Sequence, residues 1–279
     1  MVSIRQEKSL IDAFVDTEKS VKEVSSKRNV VAGENARLID VLHLILTSKF
    51  RKIPIVDESR HIKGIITSVD MIDLLGGGEK YNVFKRNKKS LEAKVDKFMT
   101  KHLRTIDHKT PVKKALQIFK RDGRGLYPIV HSKKLVAVIS EWDFVKRVNR
   151  PLGLRVYDLM VLKPIFAKRN YSVFDVAKMM CRGGFRRLPV VEDNILIGIT
   201  TPTDILNHIH RKGIEDKFVF DSSYIESAMN REISTIRHDA DVTSAIDVMR
   251  SKNVGGLPVV DGDELVGIIT ERDILDVLV

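Results

Sequence analysis

The sequence predicts an α/β fold built from four copies of one unit, and each unit runs strand, helix, strand, strand, helix. Three observations predict it. A short apolar strand containing a proline occurs four times, and a second apolar strand ending in a hydroxyl residue and an aspartate follows each copy. Upstream of each proline, apolar residues three and four positions apart mark one face of a helix. Recurrence of this kind indicates internal repeats.

The two strands of each copy keep a nearly constant spacing along the chain. The aspartate stands 16 residues after the proline in the first copy and 15 residues after it in the other three. Chance does not preserve such a register. The copies are KIPIV (52–56) with GIITSVD (64–70), LYPIV (126–130) with AVISEWD (137–143), RLPVV (187–191) with GITTPTD (198–204), and GLPVV (256–260) with GIITERD (267–273).

The helical pattern ahead of the first copy consists of Leu38, Val41, Leu42, Ile45 and Leu46. These residues form one apolar face, because positions three and four apart lie on the same side of a helix. A unit with two helices and a small sheet buries little apolar surface alone. We therefore expect the units to associate in pairs.

Two features alternate between the copies and indicate how they pair. Copies one and three carry a basic pair ahead of the proline strand, at Arg51 with Lys52 and at Arg186 with Arg187. Copies two and four carry glycine there instead, at Gly125 and Gly255, and follow the hydroxyl residue with a glutamate, at Glu141 and Glu271. This alternation predicts two pairs, over residues 26–150 and 151–279.

The predicted domains follow from this division. Residues 1–25 are predicted to form a separate helical extension, and Gly76, Gly77 and Gly78 are predicted to end the last helix of the first copy. The four repeats are expected at residues 26–80, 94–150, 151–212 and 222–279.

Composition places the chain among ordered globular proteins of the cytoplasm. The hydrophobic fraction is 43%, and one cysteine, Cys181, cannot form an internal disulfide. The N-terminal residues carry frequent charges and lack the apolar stretch of a secretory signal. No uncharged run approaches the roughly 18 residues that a membrane span requires. The sequence therefore predicts a cytoplasmic protein without a membrane anchor.

The net charge of +11 is concentrated in the first half of the chain. Residues 1–150 hold 32 Lys and Arg against 18 Asp and Glu, whereas residues 151–279 hold 16 against 19. This asymmetry suggests an anionic ligand, a nucleic acid or an acidic partner near the first half. The alternative is a lysine-rich solvated surface, since the one dense cluster consists of Lys85, Arg86, Lys88 and Lys89.

The recurring motif, Ser/Thr-x-x-Asp, stands where a strand ends and a helix begins. Unpaired N–H groups and the partial positive charge of a helix start favour phosphate, and the hydroxyl reaches the same anion. Three residues later, a carboxylate can accept two hydrogen bonds from the cis-diol of a ribose. The motif thus suits a nucleotide. Its members are Thr67 with Asp70, Ser140 with Asp143, Thr201 with Asp204, and Thr270 with Asp273.

A purely structural explanation competes with this one, because a hydroxyl residue followed three positions later by an acid also caps a helix. Two features favour a ligand. All four copies use aspartate, where glutamate or glutamine is the commoner capping partner. Alternate copies also carry basic pairs, and arginine matches the geometry of phosphate oxygens.

On these motifs the four copies resemble CBS domains, over about residues 26–279. The overall plan, including GGGEKYN at 76–82, is similar to archaeal four-CBS proteins that resemble the gamma subunit of AMP-activated protein kinase. The resemblance implies two Bateman modules, each a pair of CBS domains, that form a disc with nucleotide clefts between paired repeats. It also implies dimerisation, face to face or head to tail.

The resemblance implies ligand residues at each cleft, with ribose on the aspartate and phosphate on the hydroxyl residue and the partner's basic pair. One cleft would combine Thr270, Arg272 and Asp273 with Arg186 and Arg187, and another would combine Ser140 and Asp143 with Arg51 and Lys52. Weaker clefts would place Thr67 with Asp70, and Thr201 with Asp204, opposite glycine-rich segments around Arg124 and Gly255. Copy two departs from the pattern, with Ala137 in place of glycine and Trp142 beside its aspartate.

No motif of a phosphate-cradling loop, a zinc protease or a paired-cysteine metal site occurs in the chain. The sequence therefore predicts a protein without catalytic activity and without a required cofactor. It would bind AMP, ADP or ATP and regulate a partner protein that the sequence does not identify. Two alternatives remain open at this point: a basic protein associated with nucleic acid, and a sensor of S-adenosylmethionine or another adenosyl ligand.

Overall fold

The computed structural model describes residues 9–26, 30–48, 50–78, 90–213 and 223–279. The basic cluster at Lys85, Arg86, Lys88 and Lys89 lies outside these ranges. Within them the chain folds as four α/β repeats, and each contains the predicted five elements in the predicted order. No helix in the described ranges combines the length and the hydropathy needed to cross a membrane.

The elements of the first pair of repeats are numbered in chain order after a short leading helix, α1 (Val21–Val24). Repeat 1 contains β1 (Ala32–Gly33), α2 (Leu38–Ser48), β2 (Lys52–Val56), β3 (Ile62–Thr67) and α3 (Ser68–Ile72), which continues as a π-helical turn over Asp73–Gly77. Repeat 2 contains β4 (Ile106–Asp107), α4 (Val112–Asp122), β5 (Leu126–His131), β6 (Lys134–Ser140) and α5 (Glu141–Val145).

The second pair follows α6 (Val156–Leu159) and β7 (Val161–Leu162). Repeat 3 contains β8 (Ala167–Lys168), α7 (Val173–Gly183), β9 (Leu188–Glu192), β10 (Ile195–Thr200) and α8 (Pro202–Lys212). Repeat 4 contains β11 (Ile236–Arg237), α9 (Val242–Lys252), β12 (Gly256–Asp261), β13 (Glu264–Thr270) and α10 (Glu271–Leu278).

All four repeats share one sheet topology. The short first strand pairs in parallel with the proline strand, and the proline strand pairs antiparallel with the strand that follows it. The helix that starts at the end of this last strand begins where the motif predicted it. The predicted fold class is thereby confirmed.

The repeats associate through their sheets in the predicted pairs. Between repeats 1 and 2, Ile62 N donates to Lys133 O at 3.3 Å and Leu135 N donates to Arg60 O at 2.8 Å. Between repeats 3 and 4, Leu196 and Leu265 make the equivalent bonds, at 3.1 and 3.2 Å, and join β10 to β13. These are the pairs that the alternation of basic and glycine positions predicted, and each pair is called a module below.

The two modules associate through their helices and share two hydrophobic cores. Helix α3 of repeat 1 packs against α8 of repeat 3, and α5 of repeat 2 packs against α10 of repeat 4. Fully buried residues of repeats 1 and 3, such as Ile45 and Val176, form one core. Those of repeats 2 and 4, such as Phe119 and Ile246, form the other. Each core therefore belongs to both modules, and the four repeats surround a common centre.

A six-residue leading segment ahead of each repeat crosses to the other repeat of its module. These segments are residues 21–26, 95–100, 156–161 and 225–230. Their last residues form backbone bridges two positions before the motif's hydroxyl residue, in the pairs Ser26–Val138, Thr100–Ile65, Val161–Ile268 and Asn230–Ile199. Although residues 21–25 fall in the stretch predicted as an extension, they serve as the leading segment of repeat 1.

The leading segments explain the glycine at the start of three of the four Gly-x-x-Thr elements. A Cβ added at Gly64, Gly198 or Gly267 would lie 2.4–2.5 Å from the sulfur of a leading-segment methionine. In repeat 2 the glycine is replaced by Ala137, and the methionine position of the crossing segment holds the smaller Ser25. The departure in copy two is therefore matched by a smaller residue in the segment that packs there.

Candidate functional site

The hydroxyl residue and the aspartate of the motif form the same capping box in all four repeats. One aspartate oxygen, Oδ2, accepts hydrogen bonds from the backbone N–H and from the hydroxyl of the residue three positions earlier, at 2.6–3.0 Å. The capping interpretation therefore holds for Thr67, Ser140, Thr201 and Thr270. The capping box uses one carboxylate oxygen, Oδ2. The contacts of the second oxygen, Oδ1, depend on the surroundings of each aspartate.

The second oxygen of Asp143 is fully engaged by the protein itself. Ser26 Oγ and Lys146 Nζ both donate to Asp143 Oδ1 at 2.6 Å, and Asp143 is only 1% exposed. These contacts leave no acceptor on Asp143 for the diol of a ribose. The structure thus gives this predicted ligand residue an internal role.

The aspartates of repeats 3 and 4 are less enclosed. Among the described residues, no side chain beyond the capping hydroxyl donates to Asp204 or Asp273. Burial raises the pKa of both carboxyl groups, against the lowering effect of the capping bonds. A hydrogen-bond donor that reaches the second oxygen would therefore be well placed to satisfy it.

The predicted basic residues meet at the common centre, where they surround two glutamates. Lys52 lies among Arg186, Arg272, Glu141 and Glu271. Arg187 lies close to Arg51 and Arg186 and is also influenced by both glutamates. The centre therefore draws side chains from all four repeats, with five basic groups and two carboxylates: Arg51, Lys52, Arg186, Arg187, Arg272, Glu141 and Glu271.

One ion pair at this centre links the two modules. The guanidinium of Arg272, in repeat 4, contacts Glu141 Oε1, in repeat 2, and also donates to Phe119 O at 3.2 Å. Glu141 is 5% exposed, and burial raises its pKa against the opposing effects of Arg272, Arg186 and Lys52. This glutamate thus provides a countercharge for basic groups of three other repeats.

The glycines of repeats 2 and 4 leave room for these charged groups. A Cβ on Gly125 would lie 2.9 Å from Arg186 Nη1 and 3.0 Å from Glu141 Oε2. A Cβ on Gly255 would lie 1.8 Å from Glu271 Oε1 and 2.6 Å from Arg187 Nη2. The glycines of repeats 2 and 4 therefore have a direct cause, since each of them admits one arginine of repeat 3.

Electrostatics at the centre favours the arrival of an anion. Burial, reinforced by Arg186, lowers the pKa of Lys52 to about 7, and burial with Arg51 lowers that of Arg187 to about 10. Burial raises the pKa of Glu141 and Glu271, and the adjoining arginines oppose this shift. Basic groups thus outnumber carboxylates in a half-buried place, and a phosphate would balance the excess positive charge.

The structure groups the predicted ligand residues differently from the four separate clefts that the sequence suggested. Arg51, Lys52, Arg186, Arg187 and Arg272 share one centre, whereas Asp273 makes no ion pair with Arg186 or Arg187. The closest acidic neighbours of the arginines are Glu141 and Glu271, which sequence reasoning left outside the site. Their appearance in alternate copies, opposite the glycines, was the signal that could have included them.

Metal binding has no support in the part of the chain that the structure describes. No three His, Cys, Asp or Glu side chains there converge on a position suited to a metal ion. Cys181, the single cysteine of the sequence, is half-buried.

Comparison with known proteins agrees with the architecture. The family model described as CBS domain matches residues 21–77, 95–150, 156–211 and 225–279. An uncharacterised protein of Methanocaldococcus jannaschii, MJ1225, is 28% identical over 274 residues, which is 91% of this chain and 97% of that protein. A 33.4 kDa protein encoded in the ribosomal RNA operon of Thermofilum pendens is 25% identical over 261 residues, covering 88% of this chain and 86% of that one.

The crystal structure of MJ1225, a proposed archaeal homologue of g-AMPK, superimposes with a TM-score of 0.84. It shares 27% identity and covers 93% of this chain and 100% of its own. The first family match begins at residue 21, where the leading segment of repeat 1 begins. On its repeats, its sheet pairing and these matches, the chain belongs to the CBS-domain family and contains four CBS domains in two Bateman modules.

Proposed function

We propose that this protein is a non-catalytic sensor of adenine nucleotides, AMP, ADP or ATP, that regulates a partner protein according to which nucleotide is bound. The observation that carries the proposal is the cationic centre, where five basic side chains from three repeats surround the buried Glu141 and the half-buried Glu271. An excess of positive charge that is partly withdrawn from water is costly unless an anion enters. Phosphate groups fit because arginine presents paired donors that match their oxygens.

The ribose of each nucleotide is assigned to the less enclosed aspartates. Asp204 and Asp273 stand at the starts of α8 and α10 and keep an oxygen that no other described side chain engages. Burial raises the pKa of Asp204, and Arg51 lies close enough to oppose that rise. Arg272 is the residue directly before Asp273. A ligand with its diol on either aspartate therefore has a basic side chain of the centre nearby.

Regulation follows from the position of the centre between the modules. A ligand phosphate would compete with Glu141 for Arg272, and that contact joins repeats 2 and 4. AMP, ADP and ATP differ in their number of phosphates and would therefore weaken this contact to different extents. A ligand shifts a conformational equilibrium only when its affinities for the two conformations differ. The proposal assigns no phosphoryl transfer to the chain, because its two central carboxylates lie beside arginines, which would compete with a magnesium ion for them.

Thermal unfolding and calorimetry of the full chain test the proposal. AMP, ADP and ATP should each raise the melting temperature, and a ligand at 100 times its Kd stabilises by about 2.7 kcal/mol. Adenosine should bind with lower affinity than AMP. Arg187→Ala should reduce this difference in affinity between the two ligands. Arg182→Ala, at an exposed arginine outside the centre, is the matched control.

The rival ligands give different outcomes in the same assay. S-adenosylmethionine lacks a phosphate, so stabilisation by it alone, insensitive to Arg187→Ala, would replace the nucleotide assignment. Binding of an oligonucleotide that weakens steeply with salt would favour the nucleic-acid alternative, since contacts to the phosphate backbone release counterions. ATP turnover that persists through purification and disappears in Asp273→Ala would show that the protein is an enzyme.

A further inference from the structure

The last residue of each leading segment occupies an equivalent place beside a motif aspartate. Ser26 bridges Val138, which precedes Ser140 by two positions, and Val161 bridges Ile268, which precedes Thr270 by two positions. The two residues therefore stand in the same register, one beside the helix start of repeat 2 and the other beside that of repeat 4.

In repeat 2 this residue reaches the aspartate directly. Ser26 Oγ lies 2.6 Å from Asp143 Oδ1, the oxygen that the capping box leaves over. The bond spans 117 residues of sequence, so it depends on the crossing of the leading segment and not on local geometry. A hydroxyl at this position thus donates to the same carboxylate oxygen that a ribose diol would need as an acceptor.

In repeat 4 the equivalent residue cannot make such a bond. Val161 has no polar side-chain atom, and it is 49% exposed. Asp273 correspondingly has no donor beyond Thr270 among the described residues. Asn230 is the equivalent residue beside Asp204. Its Oδ1 accepts a hydrogen bond from Glu232 N at 2.9 Å, and it makes no hydrogen bond to the aspartate.

From this register we infer that the residue ending each leading segment determines whether the neighbouring aspartate is available to a ligand. Serine makes Asp143 a structural residue, and valine leaves Asp273 open for the ribose hydroxyls. The ligand part of this inference rests on the proposed nucleotide-binding function. The effect of the leading-segment residue on the contacts of the aspartate does not depend on that function.

The test compares Val161→Ser with Val161→Ala in the full chain. Both variants make the side chain smaller, but only serine supplies a donor for Asp273. Calorimetric titration with AMP should show about tenfold weaker binding in Val161→Ser, at the site that Asp273→Ala removes, because a bond to a charged acceptor must be displaced. Val161→Ala should retain the affinity of the original protein.

A second measurement needs no ligand. With ¹³C-carboxyl-labelled aspartate, and Asp273→Asn to assign the resonance, NMR titration should show a lower pKa for Asp273 in Val161→Ser and an unchanged one in Val161→Ala. Equal pKa values and equal AMP affinities in the two variants would overturn the inference. If AMP fails to bind even the original protein, the proposed function is wrong, while the pKa comparison still decides what Val161 does.

Discussion

Repeats 2 and 4 have the same elements, the same glycine ahead of the proline strand and the same glutamate after the hydroxyl residue, yet their aspartates differ in surroundings. Asp143 accepts four hydrogen bonds and is buried, whereas Asp273 accepts two and is only half-buried. The motif caps a helix in both places. What distinguishes a structural aspartate from a candidate ligand residue is the segment that crosses from elsewhere in the chain.

The strongest test of this contrast replaces the two aspartates separately with alanine. Asp143→Ala should lower the free energy of unfolding by about 3 kcal/mol, because it removes a cap and leaves Lys146 and Ser26 without their buried partner. Asp273→Ala should cost about 1 kcal/mol of stability, the value of a helix cap. Denaturant unfolding followed by circular dichroism measures both.

Nucleotide affinity should change in the opposite order. Asp273→Ala should weaken AMP binding by about 1–3 kcal/mol, since the ribose hydroxyls lose an ionised acceptor. Asp143→Ala, measured well below its unfolding midpoint, should leave the affinity unchanged. The contrast between the repeats fails if the two variants lose stability and affinity to the same extent.

The pairing of glycine with methionine gives a second, smaller test. Gly64→Ala should destabilise the fold by about 1–3 kcal/mol, because the new Cβ would lie 2.4 Å from Met99 Sδ and 3.0 Å from Thr100 O. The double variant with Met99→Ser reproduces the combination found in repeat 2, Ala137 with Ser25. It should be more stable than the sum of the single changes predicts, by about 0.5 kcal/mol or more.

Gly33→Ala is the control for this cycle, because nothing lies within 4 Å of a Cβ at Gly33. It should change the free energy of unfolding by less than about 0.5 kcal/mol. Strict additivity of Gly64→Ala and Met99→Ser would show that repeat 2 tolerates alanine for another reason.

A further expected effect concerns pH at the centre. Lys52 has a pKa lowered to about 7 in the free protein, so it is uncharged above that pH, and a bound phosphate would raise its pKa again. Binding would then take up a proton above pH 7, and ATP affinity should fall by up to about tenfold per pH unit between pH 7 and 9. Below pH 7 the lysine is already charged and adds no such dependence.

Calorimetric titration in buffers of different ionisation enthalpy measures this proton uptake. Lys52→Arg should remove it, because arginine stays protonated throughout the range. The same slope of affinity with pH in both proteins would assign the proton to another group.

The sequence was sufficient to predict the repeats, their internal order and their pairing into modules. Each of these follows from patterns that recur locally, namely the proline strand, the Thr-x-x-Asp turn and the alternation of basic pairs with glycine. The position of each helix start could be predicted from the hydroxyl residue and the aspartate three positions later. Local patterns of this kind determine secondary structure and register, and here they were consistent with each other.

The surroundings of the site could not be predicted in the same way. The bond from Ser26 to Asp143 depends on a segment that crosses to another repeat, and the contact of Arg272 with Glu141 depends on how two modules meet. No local pattern marks Ser26, and the alternation that marks Glu141 does not identify its partner in the other module. These contacts follow from tertiary packing, which a single sequence does not reveal.

The sharing of each core between modules has a consequence for how the chain folds during synthesis. Repeat 1 leaves the ribosome with the apolar faces of α2 and α3 exposed, and their partners in repeat 3 are translated later. At a synthesis rate of about 5–20 residues per second, this apolar surface stays exposed for several seconds before repeat 3 is translated. Contacts such as that between Arg272 and Phe119, 153 residues apart, also raise the contact order and slow folding. The first module is therefore the part of the nascent chain most in need of a chaperone.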